Sequence, residues 1–240
     1  MQTSNIRSKL AKSQGPHQKP FRILILNAKG GCGKTTIATN LACQFANENH
    51  KTVLIDYDPQ ASASEWLSVR PNNLPFIHCV SAGSKAASMT RTWQLRVPPG
   101  TSRVILDTPA RLDAMTTTKL VREADSILIP VMDSPIDVRA ATRFLTDLMK
   151  YPEFRHAKHK AVVLGNRVRH NSLSYDALKA QLEEMGIPFL TSLRESEHYA
   201  HAAAEGLGIQ ELSSKDADPD KDSWQKLARL IEQNDTTPAA

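Results

Sequence analysis

Cysteine is scarce: Cys32, Cys43 and Cys79 are the only three in 240 residues, and no two stand in C-x-x-C spacing. That excludes a disulfide framework and a cysteine-ligated zinc site, and it points to a reducing compartment, the cytoplasm. Long apolar runs are missing as well. No stretch approaches the roughly 18 residues of a membrane span, and the N-terminus lacks the apolar core of a signal peptide. Acid is absent from Met1 to Pro20, a polar segment that holds Arg7, Lys9, Lys12, Lys19 and Gly15-Pro16. Residues 1–20 therefore read as a flexible basic arm, either a solvated tail or a weak nucleic-acid contact. No repeat and no internal linker divides the rest, so residues 21–240 read as one domain long enough to bury its own core. The net charge of +5 permits an acidic partner without establishing one.

A further absence lies in NAKGGCGKTT, Asn27 to Thr36. The phosphate-binding pattern G-x-x-x-x-G-K-[ST] places a glycine where Ala28 stands. What the stretch offers instead is Gly30 and Gly31 side by side, Gly33-Lys34-Thr35-Thr36 after them, and an extra cation, Lys29, in front. The context supports a phosphate loop. FRILILN (Phe21–Asn27) is a nearly continuous apolar run, as expected of a strand buried on both faces, and Ile37, Ala38, Leu41, Ala42 and Phe45 recur at helical spacing from Lys34 to Asn49.

The alternation continues through strands at Thr52–Asp58, Phe76–Ser81, Arg103–Pro109, Ser126–Val131, Ala161–Asn166 and Ile187–Leu190. Helices are expected from about Ala61, near Lys85–Leu95, Ile136–Lys150 and Ser174–Met185, and near Glu195–Glu205 and Asp222–Gln233. The segment RLDAMTTTKL reads as a loop. Strands alternating with helices predict an α/β fold, a doubly wound, mainly parallel sheet with helices on both faces, whose ligands bind at the carboxyl ends of the strands. Asp56, Asp58, Asp107 and Asn166 all fall at such ends. One aspartate there is as readily a cap or turn residue, but convergence on the glycine loop favours a site.

Backbone N–H groups of such a loop, with the helix N-terminus behind them, cradle phosphate oxygens. Lys34 would reach the β- and γ-phosphates, the Thr35 hydroxyl would ligate Mg2+, and Asp107 stands where a second acidic group holds that metal. Cys32, beside the helix start, reads as a small side chain tolerated near phosphate rather than a redox device.

KGGCGKTT, then VLIDYDPQASASEW, then VILDTPA, resemble the deviant Walker A family of partition and positioning ATPases, the ParA/MinD group, over most of the chain. The resemblance implies an ATPase that binds ATP with Mg2+ through Lys29, Gly30, Gly31, Cys32, Gly33, Lys34, Thr35 and Thr36, with weak basal hydrolysis. Lys29 matches the signature lysine that crosses an ATP sandwich homodimer to the partner's nucleotide. Asp58 would position the attacking water, Asp56 would belong with Thr35 and Asp107 to the metal environment, and Asn166 would meet the adenine, a turn-capping amide being the other reading. The chain has Ala110 where many relatives continue DTPP.

Within the family, ParA-like members bind DNA nonspecifically as ATP dimers, which implies a cytoplasmic, nucleoid-associated protein. Lys150 to Arg169 carries six Lys or Arg against Glu153 alone; Arg167 and Arg169 there, and Arg194 in SLRESE, are the candidate DNA contacts, each as readily a solvated surface residue. The cargo would be a plasmid, a chromosome or a protein body such as a carboxysome or chemoreceptor cluster, linked by an adaptor that stimulates hydrolysis. About 20 residues precede the first strand, so no helix-turn-helix domain is expected. A MinD-like membrane regulator is the alternative, but the last helix has acids flanking Trp224, Leu227, Leu230 and Ile231 and reads as core-packing. A metabolic or metal-cluster enzyme on the same fold is another, but Cys43 and Cys79 are not placed to hold a cluster. No tyrosine follows Tyr199, against a tyrosine kinase.

Overall fold

The computed structural model describes residues 19–82, 97–169 and 174–233. Seven strands form one parallel sheet in the order β3-β2-β4-β1-β5-β6-β7. They are β1 (Phe21–Ile25), β2 (Thr52–Asp56), β3 (Ile77–Ser81), β4 (Arg103–Asp107), β5 (Ser126–Met132), β6 (Ala161–Val168) and β7 (Phe189–Arg194). The apolar runs form strands because alternate side chains leave by opposite faces and both faces are covered. In β1, Ile23 and Ile25 enter one core while Leu24 enters the other.

The first core holds α1 (Lys34–Asn47), α2 (Ser62–Ser68), α7 (His198–Ala204) and α8 (Asp218–Gln233); Leu41, Phe45, Trp224, Leu227 and Ile231 fill it. On the second face lie α3 (Ala114–Glu123), α4 (Pro135–Leu148), α5 (Pro152–Ala157) and α6 (Ser174–Met185), packed through Leu120, Val138, Leu145, Phe154 and Leu182. Helix α1 stops at Asn49, whose φ of 65° turns the chain into the left-handed region that asparagine tolerates. Among the described residues no helix is long and apolar enough to cross a membrane.

Several boundaries differ from the sequence-based expectations. RLDAMTTTKL is not a loop through its length: from Ala114 it is helix α3, capped by Asp113, whose side chain accepts from the Thr116 N–H at 2.8 Å. Three threonines hide that helix, since β-branched residues are poor helix formers. The last strand begins two residues later than Ile187 and runs on to Arg194, because at a sheet edge only Leu193 of β7 is deeply buried and its polar neighbours break the apolar pattern. The following helix accordingly starts at His198 rather than Glu195, and α8 starts at Asp218, with Pro219 in its first turn. The short α5 was not expected. The helix expected at Lys85–Leu95, and the arm up to Gln18, lie outside the described residues.

Candidate nucleotide-binding site

The loop between β1 and α1 is pinned from below. Asn27 is buried, gives its Nδ2 to the Pro130 carbonyl of β5 at 2.6 Å, and accepts the Lys29 N–H on Oδ1 at 3.0 Å. Gly31 and Gly33 have φ of 75° and 94°, in the region where glycine carries no steric penalty. At Gly33 space forbids anything larger too, since a Cβ would lie 2.2 Å from Asn166 Nδ2. Helix α1 opens on Gly33 with no side-chain cap and no acid in its first turn. Its first N–H groups and their partial positive charge are therefore left for an anion. Lys34 is buried behind the loop, with Nζ donating to the Lys29 carbonyl at 3.1 Å. Burial raises the Cys32 thiol, with Lys34 only partly opposing it, so this cysteine is kept neutral.

Asp56 and Asp107 are partners in the β2–β4 register, and Asp107 is also opposite Ile25 at the end of β1. The sheet thus delivers both aspartates beside the loop, and both are fully buried. Their surroundings differ. Asp56 accepts the Asp58 N–H on one oxygen, and the Ser64 N–H and hydroxyl on the other, at 3.0 to 3.1 Å; it organises the turn that carries Asp58 and the start of α2. Neither Asp107 oxygen has a well-formed hydrogen bond among the described residues. Burial, reinforced by Asp56 and Asp58 and opposed by the Thr35 hydroxyl and Lys34, raises its carboxyl to about 7. Asp58 is half-buried and accepts the Gln60 N–H at 2.9 Å. Thr108 ties the segment after β4 to β1, donating to the Ile25 carbonyl at 2.7 Å.

Two orphaned oxygens on a buried carboxylate beside a threonine hydroxyl are a fit for a hard cation. Mg2+ is usually bound by one or two protein groups together with phosphate oxygens, and Asp107 with the Thr35 hydroxyl would supply such a pair.

Lys29 is ion-paired within its own chain to Asp137 in the first turn of α4, and Ser134, the N-cap of that helix, donates its hydroxyl to the same carboxylate. Asp137 is buried, and sequence reasoning missed it: Ser134-Pro-Ile-Asp137 is legible as a helix start, but nothing local links it to a lysine 108 positions earlier. Asn166 donates Nδ2 to the Cys32 carbonyl at 2.8 Å, bracing the loop. It also lines a cavity of about 570 Å³ beside α1, bordered by Thr36, Arg167, Ser196, Tyr199 and Trp224 among others.

The basic run Lys150 to Arg169 does not make one patch. Lys158 and Lys160 sit before β6 at the amino ends of the strands, whereas Arg167 and Arg169 lie at its carboxyl end, the edge that carries the glycine loop. Arg194 joins them there, since Val168 pairs with Arg194 across β6 and β7. Arg167 is exposed, with φ of 51° in an irregular part of that pairing. Arg169 is paired to Glu195 at 2.6 Å and Arg194 to the buried Asp220 at 2.6 and 2.9 Å.

A strand, a glycine turn with a bare helix start, a buried lysine and two strand-end aspartates define a P-loop nucleotide-binding protein. The pattern described as the CobQ/CobB/MinD/ParA nucleotide binding domain matches residues 23–209, and the chain belongs to that family. It is 30% identical over 202 residues to the "Maintenance of carboxysome distribution protein A" of Halothiobacillus neapolitanus, covering 82% of this chain and 90% of that protein. To the protein of the same name from Gloeobacter kilaueensis it is 31% identical, covering 90% and 95%. Among solved structures, the Cyanothece McdA(D38A)–ATP complex superposes with a TM-score of 0.67 at 21% identity, covering 94% of this chain and 99% of that one, a likeness of fold.

Proposed function

We propose that this chain is a ParA-like ATPase that hydrolyses ATP to ADP and phosphate and uses the cycle to position a cargo. The observation that carries this reading is the orphaned Asp107 carboxylate facing Thr35 beside a glycine cradle whose helix start is uncapped. The triphosphate lies on the N–H groups of Gly30 to Thr36, with Lys34 on the β- and γ-phosphates. Thr35 and Asp107 would hold Mg2+, with Asp56 fixing the turn behind them. When bound, the ion offsets charge on the phosphate oxygens. Asp58 orients a water in line with the γ-phosphorus; its oxygen forms the new P–O bond as the bond to the bridging oxygen of ADP breaks. The 570 Å³ cavity takes the adenosine, with Asn166 between base and loop.

Lys29 serves the partner subunit's nucleotide in an ATP homodimer, and to do so it must leave Asp137. Binding of nonspecific DNA falls to the carboxyl edge, where Arg167 has no ion pair among the described residues and Arg169 and Arg194 would exchange acidic partners for phosphates. Two relatives named for maintaining carboxysome distribution support a carboxysome as the cargo; in this reading an adaptor links that cargo to a cytoplasmic protein held on the nucleoid.

The test is retention on nonspecific duplex DNA at physiological salt, measured with ATP, ADP and no nucleotide, beside phosphate release. ATP-dependent retention with slow phosphate release is expected; retention indifferent to ATP would remove the positioning reading, and no phosphate release would remove the ATPase.

A further inference from the structure

Helix α8 lies outside every nucleotide motif, yet it directs two buried side chains, one turn apart, at the segment that walls the cavity. Asp220 is 1% exposed. It accepts Arg194 Nε at 2.6 Å and Nη2 at 2.9 Å, accepts the Ser196 hydroxyl at 3.2 Å, and stands 3.0 Å from His198 Nδ1. Burial pushes its carboxyl up, but these bonds hold it below the usual aspartate range, so it is a charged anchor. Four residues on, on the same helical face, the buried Trp224 donates its indole N–H to the Tyr199 hydroxyl at 3.1 Å. Ser196, Tyr199 and Trp224 all line the cavity.

Among the described residues, every side chain bonded to Asp220 comes from residues 194–198, the connection between β7 and α7. Glu195 is tied to β6, through Arg169 and through its own N–H on the Val168 carbonyl, but on the other side of the connection the anchor is Asp220, and after Leu193 the residues Arg194 to His198 are exposed or half-buried. Asp220 itself touches no part of the phosphate cradle. We infer that Asp220 is a positioning residue for the nucleoside half of the substrate, fixing through Ser196 and its neighbours the wall against which base and ribose pack. This rests on the reading of the cavity as the adenosine pocket. A carboxylate that shapes one half of a bipartite ligand site alters affinity for that half and leaves the other unchanged.

The experiment separates the halves. Wild type, Asp220→Asn, Ser196→Ala and Ser196→Thr are each titrated calorimetrically with ATP and with inorganic tripolyphosphate, both with Mg2+. Asp220→Asn is expected to weaken ATP about tenfold and Ser196→Ala about threefold, with tripolyphosphate changed by less than about twofold and Ser196→Thr, which keeps the hydroxyl, near wild type. Equal loss on both ligands would mark a general loosening and overturn the inference, as would unchanged ATP affinity in the variants. Ser196→Ala removes only the loop-side donor and serves if Asp220→Asn does not fold. Wild type binding tripolyphosphate as tightly as ATP would overturn the adenosine assignment of the cavity, whatever the variants do; wild type binding neither would overturn the nucleotide site itself.

Discussion

Asp107 and Glu211 are both buried carboxylates, and the molecule treats them in opposite ways. Glu211, in the 3-10 turn Ile209–Glu211, receives Arg70 on both oxygens at 2.8 and 2.5 Å, Asn47 at 3.0 Å and the Gly208 N–H at 2.8 Å. The pair is 5% and 2% exposed, and Arg70 lies over the Trp66 ring. Burial pushes Glu211 up, but Arg70, Gly208 and Asn47 outweigh it and hold its carboxyl below the usual glutamate range. Asp107 has neither a guanidinium nor an N–H on its oxygens, and burial leaves it raised. The first arrangement fastens α1, α2 and the segment after α7 together. The second is an unmet demand for positive charge, which is what a binding site looks like before its ligand arrives.

The contrast can be broken at either end. Glu211→Gln should cost the most stability, about 3 to 5 kcal/mol at neutral pH, because it leaves Arg70 charged and buried without its partner. The sign follows from the depressed carboxyl: the stabilisation is complete above the unfolded value, 4.5, and is lost as pH falls through the lower folded value. Denaturant unfolding should therefore show the gap between variant and wild type closing in strong acid. If the gap stays constant with pH, the ion pair is not its source. Asp107→Asn should do the reverse to stability, raising the melting temperature of the nucleotide-free protein at neutral pH by the equivalent of about 1 kcal/mol while removing the further gain that Mg2+ and ATP give the wild type. A fall in melting temperature without ligand would contradict the orphaned state of that carboxylate.

A smaller effect is expected at another buried acid, Asp137, which stands between the two cases because its partner is a residue the proposed dimer needs. Asp137→Asn frees Lys29 and should shift the ATP-dependent monomer–dimer equilibrium several-fold toward dimer, read by sedimentation with a nonhydrolysable analogue. An equilibrium unchanged or shifted toward monomer would show that the pair does not restrain the lysine.

The sequence carried the site's backbone and little of its side-chain pairing. The glycine loop, the strands with aspartates at their ends and α1 were legible because each is a local pattern: apolar runs buried on both faces, then polar residues where the sheet stops. Helix α3 was hidden by Thr116 to Thr118, and the true length of β7 by Thr191 and Ser192 on an edge where burial is partial. Asp137 and Asp220 were not legible as partners, because each meets its basic residue across a distance in sequence that no period spans. Nor did counting charge reveal that the basic run divides in two.

That division has a consequence for any long, stiff polyanion. Lys160 and Arg167 stand at opposite ends of β6, seven residues apart, so a rise of about 3.3 Å each separates them by roughly 23 Å. A duplex is about that wide, so one rod laid along either rim of the sheet meets only the cations of that rim. Of the six basic residues between Lys150 and Arg169, Lys158 and Lys160 thus stand at one rim and Arg167 and Arg169 at the other, so the charge counted along twenty residues is more than any one rod would meet.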